Sequence, residues 1–300
     1  MAARLTLVLG MHRSGTSALT RALHCLGVGL GDRFLGHPCN PKGFFEDADF
    51  NACNSDILGR LGHAWHDVAP FDPDALHQQA QGEFGVRALA LLREKLSAHA
   101  SFGLKDPRQS RLLPFWRPLL EAGGIQTHCL LALRHPASVA HSLARRDGMT
   151  PAHSHALWLW HLLDAIEGSR GLPCLVVDYD LLLAGPERQV QRMGDFLALP
   201  VDTARLREFS HSFLDAALCH HKAGNGMAAA DSLWADMALR LHDALQPAAQ
   251  QPAPLEDWPG LPRLLRLCQN LRHKALRLPS PAAPLRGPFA EGRPSTEAAR

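Results

Sequence analysis

The chain has 300 residues, of which 46% are hydrophobic and 20% are charged, and its 31 basic and 29 acidic side chains give a formal net charge of +2. This composition indicates a globular protein and excludes wholesale binding to nucleic acid, so any anion site must be local. No stretch of about 18 consecutive apolar residues is present, and no membrane span is therefore predicted.

The amino terminus and the cysteines together predict a cytoplasmic enzyme. Residues 1–4 lead almost directly into an apolar run, without the apolar stretch and cleavage site of a secretory signal. The seven cysteines include no C-x-x-C pair, which favours a reducing compartment. The 18 histidines include no H-E-x-x-H motif, so no metal site is predicted.

The opening stretch, residues 5–26, predicts a strand, a polar loop and a helix. Residues 5–9 form an apolar run typical of a buried strand, which ends at Gly10. Apolar residues then recur at helical spacing from Ala18 to Leu26. The loop between these two elements contains His12, Arg13, Ser14, Gly15, Thr16 and Ser17.

This loop has the chemistry of an anion site. The first N–H groups of a helix lack internal acceptors, and the helix dipole makes that end partially positive. Gly15 lets the backbone approach an anion closely, the hydroxyls of Ser14, Thr16 and Ser17 add donors, and Arg13 adds a charged fork.

The spacing from Gly10 to Ser17 matches the nucleotide P-loop G-x-x-x-x-G-K-[ST], except that Thr16 replaces the lysine. In P-loop NTPases that lysine and Mg²⁺ neutralise charge on the β and γ phosphates. Arg13, two residues before Gly15, instead suits a terminal group with less charge than a γ-phosphate. A turn of this composition can also simply cap a helix.

A possible general base follows in the segment N-P-K-G-F-F-E-D, residues 40–47. Glu46 follows two aromatic residues, and desolvation there would raise its pKa as a base requires. Alternatively, Glu46 and Asp47 only favour the start of the helix predicted over residues 50–58. Residues 65–81 are predicted to form a mobile loop at the lip of an acceptor site.

An amphipathic helix over residues 86–96 leads to a short apolar strand that ends in Lys105, Asp106 and Arg108. Because the carboxyl ends of parallel strands face the site in an α/β sheet, Lys105 would point towards the anion held by the first loop. Alternatively, these charged residues form a solvated turn.

A second anion site is predicted where residues 129–133, a fully apolar strand, meet a helix over residues 137–146. Arg134 and Ser142 lie eight positions apart and flank this junction, so they can bind one phosphate together.

The rest of the chain continues the alternation of helices and strands, which predicts an α/β protein with a doubly wound sheet. The predicted elements are a helix over residues 153–166, a strand over 172–178 that ends before Tyr179, and helices over 190–197 and 233–245.

Lys222 lies in a basic, glycine-containing loop that either folds over a nucleotide phosphate or connects elements at the surface. Residues 247–300 are predicted to be an extension of the 1–246 domain, with a basic amphipathic segment over 261–278 and a disordered end.

Several of these motifs, spanning roughly residues 5–200, resemble the sulfotransferase family that uses 3′-phosphoadenosine 5′-phosphosulfate (PAPS), especially its bacterial branch. G-M-H-R-S-G-T-S resembles the family's 5′-phosphosulfate loop, and L-R-H-P-A-S-V-A-H-S resembles its 3′-phosphate motif. D-Y-D-L-L-L-A-G-P-E-R-Q, N-P-K-G-F-F-E-D and L-K-D-P-R also resemble family segments. The family more often has lysine at the place of Arg13, although tyrosyl-protein sulfotransferases resemble this chain in R-S-G-T and K-D-P.

The resemblance implies a P-loop-like three-layer fold with a mainly parallel sheet flanked by helices, and it implies specific roles. Arg13 and Lys105 would stabilise the transferring sulfuryl group, Glu46 would be the general base, and Asp106 would be the reserve candidate. The implied donor-binding residues are His12, Arg13, Ser14, Gly15, Thr16, Ser17, Arg134, Ser142, Tyr179 and Lys222.

The expected function is therefore metal-independent transfer of a sulfuryl group from PAPS to a hydroxyl or amine, with 3′-phosphoadenosine 5′-phosphate (PAP) as the product. The acceptor stays open among small metabolites, carbohydrates, lipids and peptides. Two alternatives remain: a small-molecule kinase with a degenerate P-loop, and a catalytically inactive nucleotide-binding protein.

Overall fold

The computed structural model describes residues 4–35, 43–214 and 233–281. Within these residues the centre of the protein is one parallel sheet with the strand order β2-β1-β3-β4. The strands are β1 (Arg4–Leu9), β2 (Ser101–Lys105), β3 (Gln126–Leu133) and β4 (Cys174–Asp178). All four are mostly buried, which explains why most of their positions are apolar.

Helices connect the strands and cover both faces of the sheet. They are α1 (Thr16–His24), α2 (Ala48–Arg60), α3 (Pro73–Gln81), α4 (Glu83–Ser97), α5 (Gln109–Ala122), α6 (Pro136–Asp147), α7 (Pro151–Gly168), α8 (Tyr179–Ala184), α9 (Pro186–Leu197), α10 (Thr203–Glu208), α11 (Leu233–Gln250) and α12 (Leu261–Ala275). None of these helices is both long and apolar enough to span a bilayer.

The side chains of β1 alternate between two apolar cores, one on each face of the sheet. Leu5, Leu7 and Leu9 belong to the larger core, which includes residues of α5, α7, α11 and α12. Val8 belongs to the smaller core, with residues of α1 and α9. A parallel sheet between two helical layers confirms the predicted α/β, P-loop-like three-layer architecture.

Four helices of the described residues are absent from the sequence prediction, the short α8 and α10 and the longer α3 and α5. Residues 73–81 are not a loop but form α3, because Asp72 accepts a hydrogen bond from the N–H of Asp74 and Pro73 occupies the first turn. Residues 109–122 form α5, which was not predicted; this helix contains Pro114 and Pro118, and prolines normally argue against a helix interior.

The carboxyl-terminal helices pack on the larger core. α11 continues to Gln250, so the domain boundary predicted at residue 246 falls inside this helix. α12 contributes the buried Leu264, Cys268 and Leu271 to the same core as β1.

Candidate active site

The predicted anion loop leaves β1 through a sharply turned backbone. Gly10 has a φ of 131°, and a Cβ at this position would lie 2.9 Å from the carbonyl oxygen of Ala132, so only glycine fits. Its N–H donates to Ser110 Oγ at 2.7 Å. Further positive φ angles at Arg13 (69°) and Gly15 (85°) turn the chain into the first residue of α1. The loop therefore ends at an N-terminus that no side chain caps.

Tyr179, the first residue of α8 directly after β4, packs over this loop. A Cβ at Gly15 would lie 2.1 Å from Tyr179 Cδ2, so the tyrosine ring packs directly on the glycine. The guanidinium carbon of Arg134 lies 4.6 Å from the centre of the same ring. Three predicted donor-binding residues from separate parts of the sequence are thus in contact.

Hydrogen bonds connect the two predicted anion motifs. Arg134 donates from Nη1 to the carbonyl oxygen of Arg13 at 2.8 Å, and Arg13 donates from Nε to Ser142 Oγ at 2.7 Å. Ser14 Oγ and Arg134 Nε are buried, and neither has a hydrogen-bond partner among the described residues. A buried polar atom without a partner is costly, so these two atoms fit an anionic ligand.

Lys105 and Glu46 form a buried ion pair beside the loop. Lys105 Nζ lies 2.6 Å from Glu46 Oε1, and the two residues are 3% and 7% exposed. The same ammonium group donates to the carbonyl oxygen of Phe44 at 2.9 Å and to Ser17 Oγ at 3.4 Å. Glu46 Oε2 accepts from Asn51 Nδ2 at 3.0 Å. Lys105 therefore points towards the anion loop, as the sequence predicted, and it is not part of a solvated turn.

Asp106 is buried next to this pair but is held by other groups. Its carboxylate accepts from Asn54 Nδ2 at 3.0 Å, from the Arg108 N–H at 2.9 Å and from Arg108 Nη1 at 3.1 Å. Burial raises the pKa of Asp106, the charge of Arg108 opposes this rise, and the charge of Glu46 adds to it.

His12 lies on the side of the loop that faces residues 61–72. Its ring centre is 4.5 Å from that of Trp65 and 6.1 Å from that of His161. Burial, followed by the positive charge of Arg146, holds the pKa of His12 well below its usual value. The neutral imidazole has a buried Nε2 without a hydrogen-bond partner in the described part of the chain.

Three predicted donor-binding residues are still to be located: Thr16, Ser17 and Lys222. Thr16 is buried at the start of α1, and its carbonyl oxygen accepts from Thr20 Oγ1 at 2.8 Å. Ser17 Oγ donates to the carbonyl oxygen of Phe44 at 3.2 Å. Lys222 lies outside the described residues.

Sequence reasoning missed two residues that support the site. Asn54 donates to Asp106, and its Oδ1 accepts from Trp116 Nε1 at 2.8 Å. Ser110 belongs to none of the predicted motifs, although its Oγ accepts a hydrogen bond from the Gly10 N–H at 2.7 Å and so fixes the start of the anion loop. Both contacts join residues more than 50 positions apart, which a local pattern does not reveal.

Comparisons with solved structures find several similar chains, and two of them are sulfotransferase domains. No protein-family model matches the sequence, and no curated protein matches it. The sulfotransferase domain from the Synechococcus PCC 7002 olefin synthase is similar, with 19% identity, a TM-score of 0.49 and coverage of 79% of this chain and 93% of that chain. The sulfotransferase domain from the curacin biosynthetic pathway is also similar, with 17% identity, a TM-score of 0.38 and coverage of 89% and 97%. Similarity at this level by itself assigns no activity to the chain.

Proposed function

We propose that the protein is a sulfotransferase that moves a sulfuryl group from PAPS to a hydroxyl or amine of an acceptor, without a metal ion. The observation that carries this proposal is the buried Lys105–Glu46 pair, whose ammonium group also reaches Ser17 in the anion loop. A cation for the transferring group and a carboxylate for the acceptor proton are then adjacent to one anion site.

The chemistry of the donor matches the residues of the two anion motifs. PAPS has a phosphosulfate at the 5′ position and a phosphate at the 3′ position, and when bound it supplies an activated sulfuryl group. The N-terminus of α1 and the hydroxyl of Ser14 suit the 5′ group, and Arg134 with Ser142 suits the 3′ phosphate. Tyr179 contacts both motifs and would hold them at a fixed spacing.

Arg13 and Lys105 would stabilise the charge that develops during transfer. A sulfuryl group carries one negative charge fewer than a phosphoryl group, so fixed cations and backbone donors can suffice. The P-loop lysine of nucleotide kinases is replaced by Thr16, and the cation of this site comes instead from the end of β2. This difference disfavours the kinase alternative.

Glu46 is the better candidate for the general base. Its two oxygens contact one cation and one amide, whereas Asp106 accepts three hydrogen bonds from Asn54 and Arg108. An acceptor hydroxyl would pass its proton to Glu46 as its oxygen attacks sulfur, and the bond between sulfur and the bridging phosphate oxygen would break to release PAP. Lys105, 2.6 Å from Glu46 Oε1, lies beside the carboxylate that would take this proton.

The test is calorimetric titration with PAP, with and without EDTA, compared with ATP and Mg²⁺. We expect micromolar PAP binding that EDTA does not change and that Arg134→Ala weakens by about tenfold or more, because a charged phosphate contact is lost. Arg263→Ala, at an exposed position of α12, is the matched control and should bind PAP like the wild type. Binding of ATP with Mg²⁺ but not of PAP would contradict the proposal and support a kinase.

A further inference from the structure

Residues 61–72, which connect α2 to α3, are fastened to the body of the protein by Arg111 of α5. Arg111 donates from Nη1 to the carbonyl oxygen of Asp67 at 2.5 Å and from Nη2 to that of Ala69 at 2.7 Å. Its guanidinium carbon also lies 3.7 Å from the centre of the Phe71 ring. One planar side chain thus holds three residues of this segment.

Arg111 is itself fixed by a partly buried network of ion pairs. Its Nε donates to Asp164 Oδ2 of α7 at 2.9 Å, and Arg272 of α12 donates to the other oxygen, Oδ1, at 2.8 Å. Arg111 is only 2% exposed. The connection between α2 and α3 is therefore tied to three helices of the larger core.

A second contact fastens the same segment. His153 of α7 is hydrogen-bonded through Nε2 to the carbonyl oxygen of His66 at 2.8 Å. Inside the segment, Asp67 Oδ2 accepts from the N–H of Ala64 at 2.8 Å, which fixes the turn that contains Trp65. Side chains of α5 and α7 thus bind three carbonyl oxygens of the segment.

The result of these contacts is the position of Trp65. Its ring lies 4.5 Å from that of His12, the neighbour of Arg13 in the anion loop. On another side, the guanidinium carbon of Arg146 in α6 lies 5.4 Å from the Trp65 ring centre. Trp65 is half-buried, and its ring lies beside the anion loop through the contact with His12.

We propose that residues 61–72 form the acceptor-side wall of the site, with Trp65 in contact with the acceptor and Arg111 as the positioning residue that holds the wall in place. This inference rests on the proposed function. A wall at this position excludes water from the transferring group, and exclusion of water suppresses hydrolysis of an activated donor. Hydrolysis would break the bond between sulfur and the bridging phosphate oxygen as water attacks sulfur, giving sulfate and PAP, with the protons of water passing to solvent.

The experiment compares Arg111→Met and the more conservative Arg111→Lys with Arg117→Met. Lysine keeps a charge for Asp164 but lacks the fork that bonds two carbonyl oxygens. Arg117, on the same helix, instead donates to the carbonyl oxygens of Gly168 and Arg170 and is the matched control. Circular dichroism and thermal unfolding identify any variant that fails to fold.

Three quantities are measured in each variant: PAP affinity by calorimetry, the rate of PAP release from PAPS in water, and acrylamide quenching of Trp65. The Trp65 signal is obtained as the difference between each protein and the same protein carrying Trp65→Phe. We expect Arg111→Met to raise donor hydrolysis and Trp65 quenching by about threefold or more at unchanged PAP affinity, Arg111→Lys to be intermediate, and Arg117→Met to match the wild type.

The outcomes separate this proposal from the proposed function. Wild-type quenching and wild-type hydrolysis in both Arg111 variants, at normal PAP affinity, would overturn the wall. Increased quenching without increased hydrolysis would overturn its role in excluding water. Failure of the wild type to bind PAP would overturn the proposed function and the acceptor role with it, while the quenching data would still decide whether Arg111 holds the segment.

Discussion

Arg13 and Phe45 have positive φ angles of 69° and 54°, a backbone region that non-glycine residues rarely adopt. Arg13 lies in the anion loop, and Phe45 immediately precedes Glu46. Among the described non-glycine residues the same property is also found at Ala198, the residue that caps the carboxyl end of α9. Such strain costs about 1–3 kcal/mol per residue and persists where surrounding contacts fix it. At the residue scale, two of these strained positions are therefore Arg13 itself and the residue directly before Glu46, the proposed general base.

Arg13→Asn removes the guanidinium and keeps a residue that tolerates a left-handed backbone. We expect the variant to fold and to release PAP from PAPS at least about a hundredfold more slowly, the usual cost of removing a preorganised charge donor. Arg13→Lys, which keeps a cation, should lose much less activity. Wild-type turnover in Arg13→Asn would show that Arg13 does not act on the transferring group.

Glu46→Gln keeps a hydrogen-bond acceptor for Lys105 but cannot take a proton. We expect PAP affinity within about twofold of the wild type, because the donor motifs are unchanged, and loss of sulfuryl transfer to the acceptor. Calorimetry measures the first quantity, and an assay for sulfated product measures the second. Transfer at the wild-type rate in Glu46→Gln would move the role of base to Asp106.

At the element scale, regular patterns were predictable and contacts between distant elements were not. The strand before Gly10, the strand before Lys105 and the helix after Arg134 all follow from apolar periodicity and strand-end chemistry. The α5 helix escaped prediction because its prolines conflict with helix propensity and its apolar face is stabilised only by packing. The site pairs Lys105–Glu46 and Arg13–Ser142 join residues 59 and 129 positions apart, so they required the fold.

Helix α7 carries buried histidines that make stability depend on pH. Burial lowers the pKa of His161 from 6.5 to about 3, and its Nδ1 is bonded to the carbonyl oxygen of Leu157 at 2.8 Å. Below pH 6.5 the unfolded chain gains a proton at His161 that the folded protein cannot take. The free energy of unfolding should therefore fall as the pH is lowered towards 3, by up to about 1.4 kcal/mol per pH unit from this group.

The test is chemical denaturation of the wild type and His161→Gln at a series of pH values. Between about pH 6 and pH 4, the free energy of unfolding should change with pH less steeply in the variant than in the wild type, by about 1.4 kcal/mol per pH unit. This difference in slope does not depend on the absolute stability of the variant. His155→Gln should reduce the slope over a narrower range, because burial lowers the pKa of His155 to about 4. Equal slopes in wild type and His161→Gln would contradict the assignment of a neutral, buried His161.

At the scale of the whole molecule, the carboxyl-terminal helix and the site belong to one connected structure. Arg272 of α12 binds Asp164, and Asp164 binds Arg111, which holds residues 61–72 beside the anion loop. The composition shift after residue 246 predicts an extension of the 1–246 domain that contains one basic amphipathic segment. The burial of α12 depends on a few apolar residues spaced along one face of this basic helix.

Two leucines of the carboxyl-terminal region test whether α12 is part of the same cooperative unit. Leu271 is 3% exposed and lies in the larger core, whereas Leu276, just after the helix, is 55% exposed. We expect Leu271→Ala to lower the free energy of unfolding by about 2–4 kcal/mol, because a buried cavity is left, and Leu276→Ala to change it by less than about 0.5 kcal/mol. If α12 shares the core, denaturant unfolding of Leu271→Ala, followed by both tryptophan fluorescence and circular dichroism, should shift as a single transition. A separate early transition for α12, with the main transition unchanged, would mean that the helix folds apart from the core and does not stabilise the Arg111 network.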